Sequence, residues 1–176
     1  MDASQTQMLW DHLQIQKLLA TYCRGIDRCD QALLKSAYWP DAIEEHGLFN
    51  GNAWEFAEFI VPMLKTMKVT MHSISNMLIE VDGDRASSET YVVAYHLMAA
   101  EDGTQSEMVV GGRYADQFER RKGEWRIARR LFIHDWNQNG AATVQWDSGL
   151  YAQLNVRGRH DRDDPSYARM LGKNGG

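Results

Sequence analysis

The sequence predicts an α+β domain in which a long, curved antiparallel sheet closes over three N-terminal helices, and three observations predict it. Apolar residues recur at helical spacing up to Leu64; from Val69 onward β-branched and aromatic residues dominate; and this second half is cut at Asp82-Gly83, Asp102-Gly103 and Lys122-Gly123, all strong hairpin signals. Helices followed by an antiparallel meander give a layered architecture with a hollow between sheet and helices. The 176 residues suit one domain with a core large enough to hold a pocket. The expected division is a folded domain over residues 1–140 and an irregular C-terminal extension over 141–176 that forms no separate domain.

The first helix is expected to start at the capping-box pattern Ser4-Gln5-Thr6-Gln7 and to run to about Asp27 on Leu9, Leu13, Ile15, Leu18, Leu19, Tyr22 and Ile26. Asp30 can cap a short second helix carrying Leu33, Leu34 and Ala37, which must stop before Pro40 because the residue ahead of proline avoids the α region. A short strand is expected around Ala42 to His46, then a turn at Asn50-Gly51, then a third helix with Trp54, Ala57, Ile60, Val61 and Leu64 on one face. Four strands follow at roughly 69–81, 85–100, 105–120 and 124–136. Strands this long must bend to wrap a core, and Gly111-Gly112 is the expected bend. After Trp136 the chain reads as polar and irregular, able to lie over a pocket mouth or a neighbouring subunit.

Composition excludes several classes. A net charge of −5 without a basic run offers no face for nucleic acid. Cys23 and Cys29, six apart in a helical segment, would sit roughly 9 Å apart, too far to bridge. They read as free thiols, as in a reducing cytoplasm, and the charged first thirty residues contain no signal-peptide core. There is no Gly-x-Gly-x-x-Gly, Walker loop or nucleophile elbow. Glu44, Glu45, His46, His134 and Asp135 are possible metal ligands, but none shows a recognised metal spacing. No metal and no cofactor are expected, and His46 is placed on a cavity wall or rim.

Two titratable residues stand out by position. Asp27 sits at a helix C-terminus, where a carboxylate faces the negative end of the dipole unless a cation or imidazole partners it. His72, early in the first long strand, could be that partner, and an imidazole held by a carboxylate is a usable general base. Alternatively, Asp27 is a solvated helix-end acid and His72 a structural histidine. Strand parity groups Val92, Ala94 and His96; Val110, Gly112 and Tyr114; and Arg130, Phe132 and His134. These faces are expected to line an apolar cavity with a few polar heads, together with Trp54 and His46. Tyr114 and Phe132 could equally be plain core, and His134 a surface residue beside Asp135. Trp125 reads as a core anchor.

The segments Tyr22-Cys23-Arg24-Gly25-Ile26-Asp27, Met71-His72 and Gly111-Gly112-Arg113-Tyr114-Ala115-Asp116-Gln117-Phe118-Glu119-Arg120 resemble the SnoaL-like members of the nuclear-transport-factor-2-like superfamily, from about residue 8 to 136. Within that group the chain is similar to bile-acid dehydratases, scytalone dehydratases and hexachlorocyclohexane dehydrochlorinases. The resemblance implies a cone-shaped fold and elimination promoted by an Asp–His pair without a cofactor. It places the base on His72, the orienting carboxylate on Asp27, an assisting tyrosine on Tyr22, a second histidine near His96 and a cationic helper within Arg129 to His134. Scytalone dehydratases carry a tyrosine directly before the aspartate, where this chain has Ile26.

The expected activity is therefore that of a cofactor-independent lyase, removing water, halide or formaldehyde from a small hydrophobic, aromatic or polycyclic hydroxylated substrate, as in aromatic catabolism. Steroid-type isomerisation is the nearest alternative, and a non-catalytic small-molecule-binding domain of the same fold is another. The resemblance also implies a homo-oligomer, trimeric or dimeric; charge, composition and the free thiols lead us to expect neither nucleic-acid nor membrane partners and a cytoplasmic location.

Overall fold

The computed structural model describes residues 2–170. Helix α1 (Ala3–Asp27) opens the chain, followed by α2 (Gln31–Ser36), strand β1 (Tyr38–Glu45), strand β2 (Asn50–Asn52) and α3 (Ala53–Lys65). Four long strands complete the fold: β3 (Val69–Asp82), β4 (Arg85–Ala99), β5 (Gln105–Arg121) and β6 (Glu124–Ala141). The six strands form one sheet in the order β2-β1-β6-β5-β4-β3. Among the described residues no helix is long and apolar enough to cross a membrane.

Local chemistry explains each start and stop, and corrects several expectations. Helix α1 begins before Ser4, because Asp2 is the N-cap: its carboxylate accepts from Gln5 N at 2.8 Å and Gln5 Oε1 accepts from Asp2 N at 3.1 Å. Asp30 caps α2 by accepting from Leu33 N, and the helix ends well before Pro40. The strand expected from Ala42 begins at Tyr38. Asn50-Gly51 is not a turn but part of β2, paired back on β1; the reversal lies at Gly47, which takes a φ of 76°. Asn52, the residue after that pair, caps α3 through Oδ1.

The hairpin turns fall where Gly and Asp mark them, and Lys122-Gly123 adopts positive φ at both positions (54° and 83°), the geometry of a tight twisted hairpin. Two features depart from a simple meander. Strand β6 continues to Ala141, past the expected end at Trp136, paired with β5 as far as Ser106. Four of the five strand pairings are antiparallel, but β1 joins β6 in parallel, with Ile43 opposite Arg129 and Glu45 opposite Leu131.

The sheet bends at Gly111 and Gly112, where the β5–β6 register shifts. A Cβ on Gly112 would meet the Ile133 carbonyl oxygen at 2.4 Å, and one on Gly111 would overlap the Trp136 ring. Only residues without a side chain let the two strands approach this closely. The curled sheet wraps α1 and α3. Buried Ile15, Leu19, Phe56, Val61, Phe118 and Ile127 fill the space between them.

The extension beyond β6 is irregular except for a short 3-10 turn at Gly149–Gln153. Its far part runs back to the α1–α2 junction. There Arg28 contacts Asp164, Asp30 accepts from Arg162 and the Tyr167 hydroxyl, and the Arg24 guanidinium lies 4.3 Å from the centroid of the Tyr167 ring. Cys23 and Cys29 are both free and buried.

Candidate active site

Helix α1 delivers Asp27, its last residue, to the beginning of strand β3. The Asp27 carboxylate accepts from the backbone N–H of His72 at 3.0 and 3.1 Å, and Oδ1 lies 2.7 Å from His72 Nδ1. These partners offset the unfavourable placement of a carboxylate at a helix C-terminus. With Nδ1–H donated to the carboxylate, the neutral imidazole carries its lone pair on Nε2. Both side chains are 9 % exposed, so the pair sits almost dry.

His72 lines a cavity of about 230 Å³ between the sheet and the helices, open to solvent on one side. Val92, Ala94, Val110, Tyr114 and Phe132 form its sheet side, with Ile60, Met63 and Leu64 from α3 and Ile26 from α1. The lining is apolar apart from three imidazoles, His46, His72 and His96, and the Tyr114 ring. His96 stands edge-on to His72 with ring centroids 5.5 Å apart, and its Nδ1 is buried without a partner.

Burial, reinforced by the neighbouring His72, lowers the His96 pKa to about 4. The unfolded chain takes up a proton near the ordinary value of 6.5, whereas the folded state refuses it down to about 4. Between these values the unfolded state binds more protons, so stability falls as pH drops. The loss attributable to this residue is on the order of 3 kcal/mol. Denaturant unfolding at pH 7.5 and pH 4.5 is expected to show that loss in the wild type and a smaller one in His96→Leu. Equal losses in both would contradict the assignment.

A second carboxylate–imidazole pair faces the same cavity. His46 follows β1 and its Nδ1 lies 2.8 Å from Oε1 of Glu44, which is fully buried; the other carboxylate oxygen accepts from the Tyr38 hydroxyl at 2.7 Å. Burial and the Glu44 charge hold the Tyr38 pKa well above its ordinary value, so this hydroxyl is the donor. The His46 ring is stacked between Phe56 and Phe132, at centroid distances of 5.0 and 4.7 Å. Sequence reading took Glu44 only as a possible metal ligand and missed this pair, although Glu44 and His46 share one strand face by parity.

Other expected site residues lie elsewhere. Arg130 is fully buried and points inward, but one layer below the cavity: Nε and Nη2 each donate to Asp116 at 2.7 Å, and the guanidinium sits in the corner formed by the Tyr22 and Tyr114 rings, which meet edge-to-face, 3.9 Å from each centroid. Tyr22 does not line the cavity either; its buried hydroxyl has no partner, and burial raises its pKa far above the ordinary tyrosine value. Trp54 is half-buried between α2 and α3, donating from Nε1 to the Lys35 carbonyl. His134 is exposed beyond the bend, and Arg129 is exposed and paired with Glu45 at 2.8 Å. Parity names the face of a strand but not the depth at which a side chain enters the cone, and the register shift at Gly111 and Gly112 carries the rest of β6 away from the cavity.

Among the described residues, no group of three or more His, Cys, Asp or Glu side chains converges on a point where a metal ion could bind.

A cone-shaped α+β fold with a carboxylate-held imidazole over an apolar cavity defines the class. The model of the SnoaL-like domain matches residues 7–131, and the chain belongs to that family within the nuclear-transport-factor-2-like superfamily. An uncharacterised protein of Mycobacterium tuberculosis is 32% identical over 124 residues, 69% of this chain and 83% of that protein. Among solved structures, a hexachlorocyclohexane dehydrochlorinase from Novosphingobium barchaimii superposes with a TM-score of 0.70 at 19% identity, covering 82% of this chain and 99% of the other. A candidate scytalone dehydratase from Novosphingobium aromaticivorans gives 0.68 at 17% identity, with 80% and 93% covered. These structural likenesses establish the fold.

Proposed function

We propose that the protein is a lyase that needs no cofactor, in which His72 abstracts a proton from carbon and Asp27 fixes its tautomer. The observation that carries this reading is the 2.7 Å contact between Asp27 and His72 Nδ1 at the wall of a largely apolar cavity. Such a base, held in place and nearly buried, contributes roughly a hundred- to ten-thousandfold to proton transfer. The bond broken is a C–H bond next to an activating group; its electron pair forms the new double bond as the leaving group departs. The cavity suits a compact, largely apolar molecule with few polar heads.

The test is turnover of a panel of hydroxylated and halogenated aromatic ketones and polycyclic alcohols, in buffer without added metal or nucleotide. An unsaturated product is expected from at least one compound, with loss of activity in His72→Ala. Binding by thermal shift without any turnover, unchanged in His72→Ala, would point instead to a non-catalytic binding domain.

The same reading includes a homotrimer. Met71, Tyr91, Val93 and Leu131 lie exposed on the convex face of the sheet, an apolar surface of the kind that subunit contacts cover. Light scattering at micromolar concentration is expected to return three times the chain mass; a monomer would contradict this.

A further inference from the structure

Elimination needs a proton delivered as well as one removed whenever the leaving group is poor. The two groups that the sequence offered for this task, Tyr22 and a last-strand cation, do not reach the cavity: Tyr22 and Arg130 lie below it, and Arg129 and His134 lie outside it. Of the titratable groups that do line it, His72 is the base, His96 is kept neutral by burial, and burial holds the Tyr114 hydroxyl far above its ordinary pKa. His46 remains.

We propose that His46, oriented by Glu44 and Tyr38, is the general acid of the reaction, and that the site is built for substrates that lose hydroxyl as water rather than halide. The proposal rests on the reading of His72 as the base. Its geometry is that of a second dyad. Glu44 engages Nδ1 at 2.8 Å while its other oxygen accepts from the Tyr38 hydroxyl at 2.7 Å, so both carboxylate oxygens are anchored. The Phe56 and Phe132 rings clamp the imidazole plane from both sides. Nε2 is thereby left as the exchanging atom, with no protein partner among the described residues. Phenyl faces on both sides of the ring also suit an imidazolium cation.

The two dyads reach the cavity from distant parts of the sheet. β1 and β3 are separated by β6, β5 and β4, four inter-strand steps that would span about 19 Å in a flat sheet. Curling brings both imidazoles onto one space of about 230 Å³, where a single substrate can touch both. The balance is then complete. His72 Nε2 takes the proton from carbon, the C–H pair becomes the double bond, and the C–O bond breaks. The departing oxygen takes the Nε2 proton of His46 and leaves as water. Solvent afterwards removes a proton from His72 and returns one to His46. Chloride needs no such proton, so an acid held by a buried carboxylate and two aromatic rings serves a leaving group that must be protonated, such as hydroxyl.

The experiment compares 4-hydroxy-4-phenylbutan-2-one with its 4-chloro analogue, whose eliminations give the same enone, in wild type, His46→Gln, Glu44→Gln and His72→Ala, each checked for folding by circular dichroism. His46→Gln is expected to lower kcat for the hydroxy compound by about a hundred- to ten-thousandfold and to leave kcat for the chloro compound within about threefold. Glu44→Gln, which can keep both hydrogen bonds while removing the charge, is expected to show the same selectivity with a smaller loss. His72→Ala should lose both reactions, which separates failure of the acid from failure of the base. Equal losses on both substrates in a folded His46→Gln overturn the proposal, as does retention of dehydration. Should His46→Gln not fold, Glu44→Gln decides by the same ratio. Absence of turnover of either compound by the wild type overturns this proposal.

Discussion

His72→Ala is expected to lower kcat by several orders of magnitude, and Asp27→Asn to do nearly as much. An asparagine at position 27 cannot accept as a carboxylate does, and its amide donor would favour the tautomer that turns the Nε2 lone pair into an N–H. The backbone N–H of His72, which also donates to Asp27, would lose part of its charge-assisted bond, so the strand start shifts as well as the ring. Because the two side chains share one function, the double variant should be little worse than the worse single one. Steady-state kinetics on any compound turned over in the panel checks this. Losses that multiply, or near-wild-type turnover in Asp27→Asn, would show that the two residues do not act as one unit.

The largest effect on stability is expected away from that pair. Arg130 and Asp116 have no exposed side-chain surface, and Arg130 Nη1 is buried without a partner. Burial alone would raise the Asp116 pKa and lower that of Arg130; the contact between them, with the Tyr22 and Tyr114 rings against the guanidinium, keeps it charged. Asp116→Ala leaves this cation uncompensated. Removing one member of a buried pair costs about 3–5 kcal/mol, which for a chain of this size lowers Tm by on the order of 10 °C. Replacing both members by apolar residues, Asp116→Leu with Arg130→Met, should recover much of the loss. Calorimetry on the three proteins measures it; a cost below about 1 kcal/mol for Asp116→Ala would refute the account.

Much of the fold was legible in the sequence because its signals are local. Asp82-Gly83 and Lys122-Gly123 encode their own turns, and the change from helical to strand spacing after Leu64 divides the layers. Gly111-Gly112 is a bend for a reason that any side chain there would reveal. The parallel docking of β1 on β6 was not legible, since no turn links the two strands and nothing near Tyr38 or Ile127 marks the partner. Competing short-range patterns misled at Ser4 and at Asn50-Gly51, where a neighbouring Asp2 cap and a pairing with β1 prevail.

The site divides in the same way. Asp27 and His72 stand at an element end and an element start, positions that sequence spacing locates well, and the structure brings them within 2.7 Å. His46, His96, Val110, Tyr114 and Phe132 line the cavity as strand position suggested. Arg130 was given the right face and the wrong height, because alternation carries no information about distance from the mouth of a cone. Glu44 was weighed only as a metal ligand although parity placed His46 beside it; its other partner, Tyr38, lies on the same strand at a separation that the register shift between Tyr38 and Ile43 obscures.

The parallel contact of β1 with β6 has a consequence for how the chain is made. Residues 43–45 find their partners at 129–131, more than 80 residues later, and contacts that distant in sequence form late and slowly. While the chain is still emerging from the ribosome, the first helices and the β3–β4 hairpin can assemble, but the strand that carries Glu44 and leads into His46 waits with one edge unpaired. An incomplete chain thus presents an open edge and the apolar side of α3 together, a combination prone to association. Closure of the cone by its penultimate stretch of sequence makes the Asp27–His72 half of the cavity the older half in the life of each molecule, and the His46 half the one that depends on synthesis being finished.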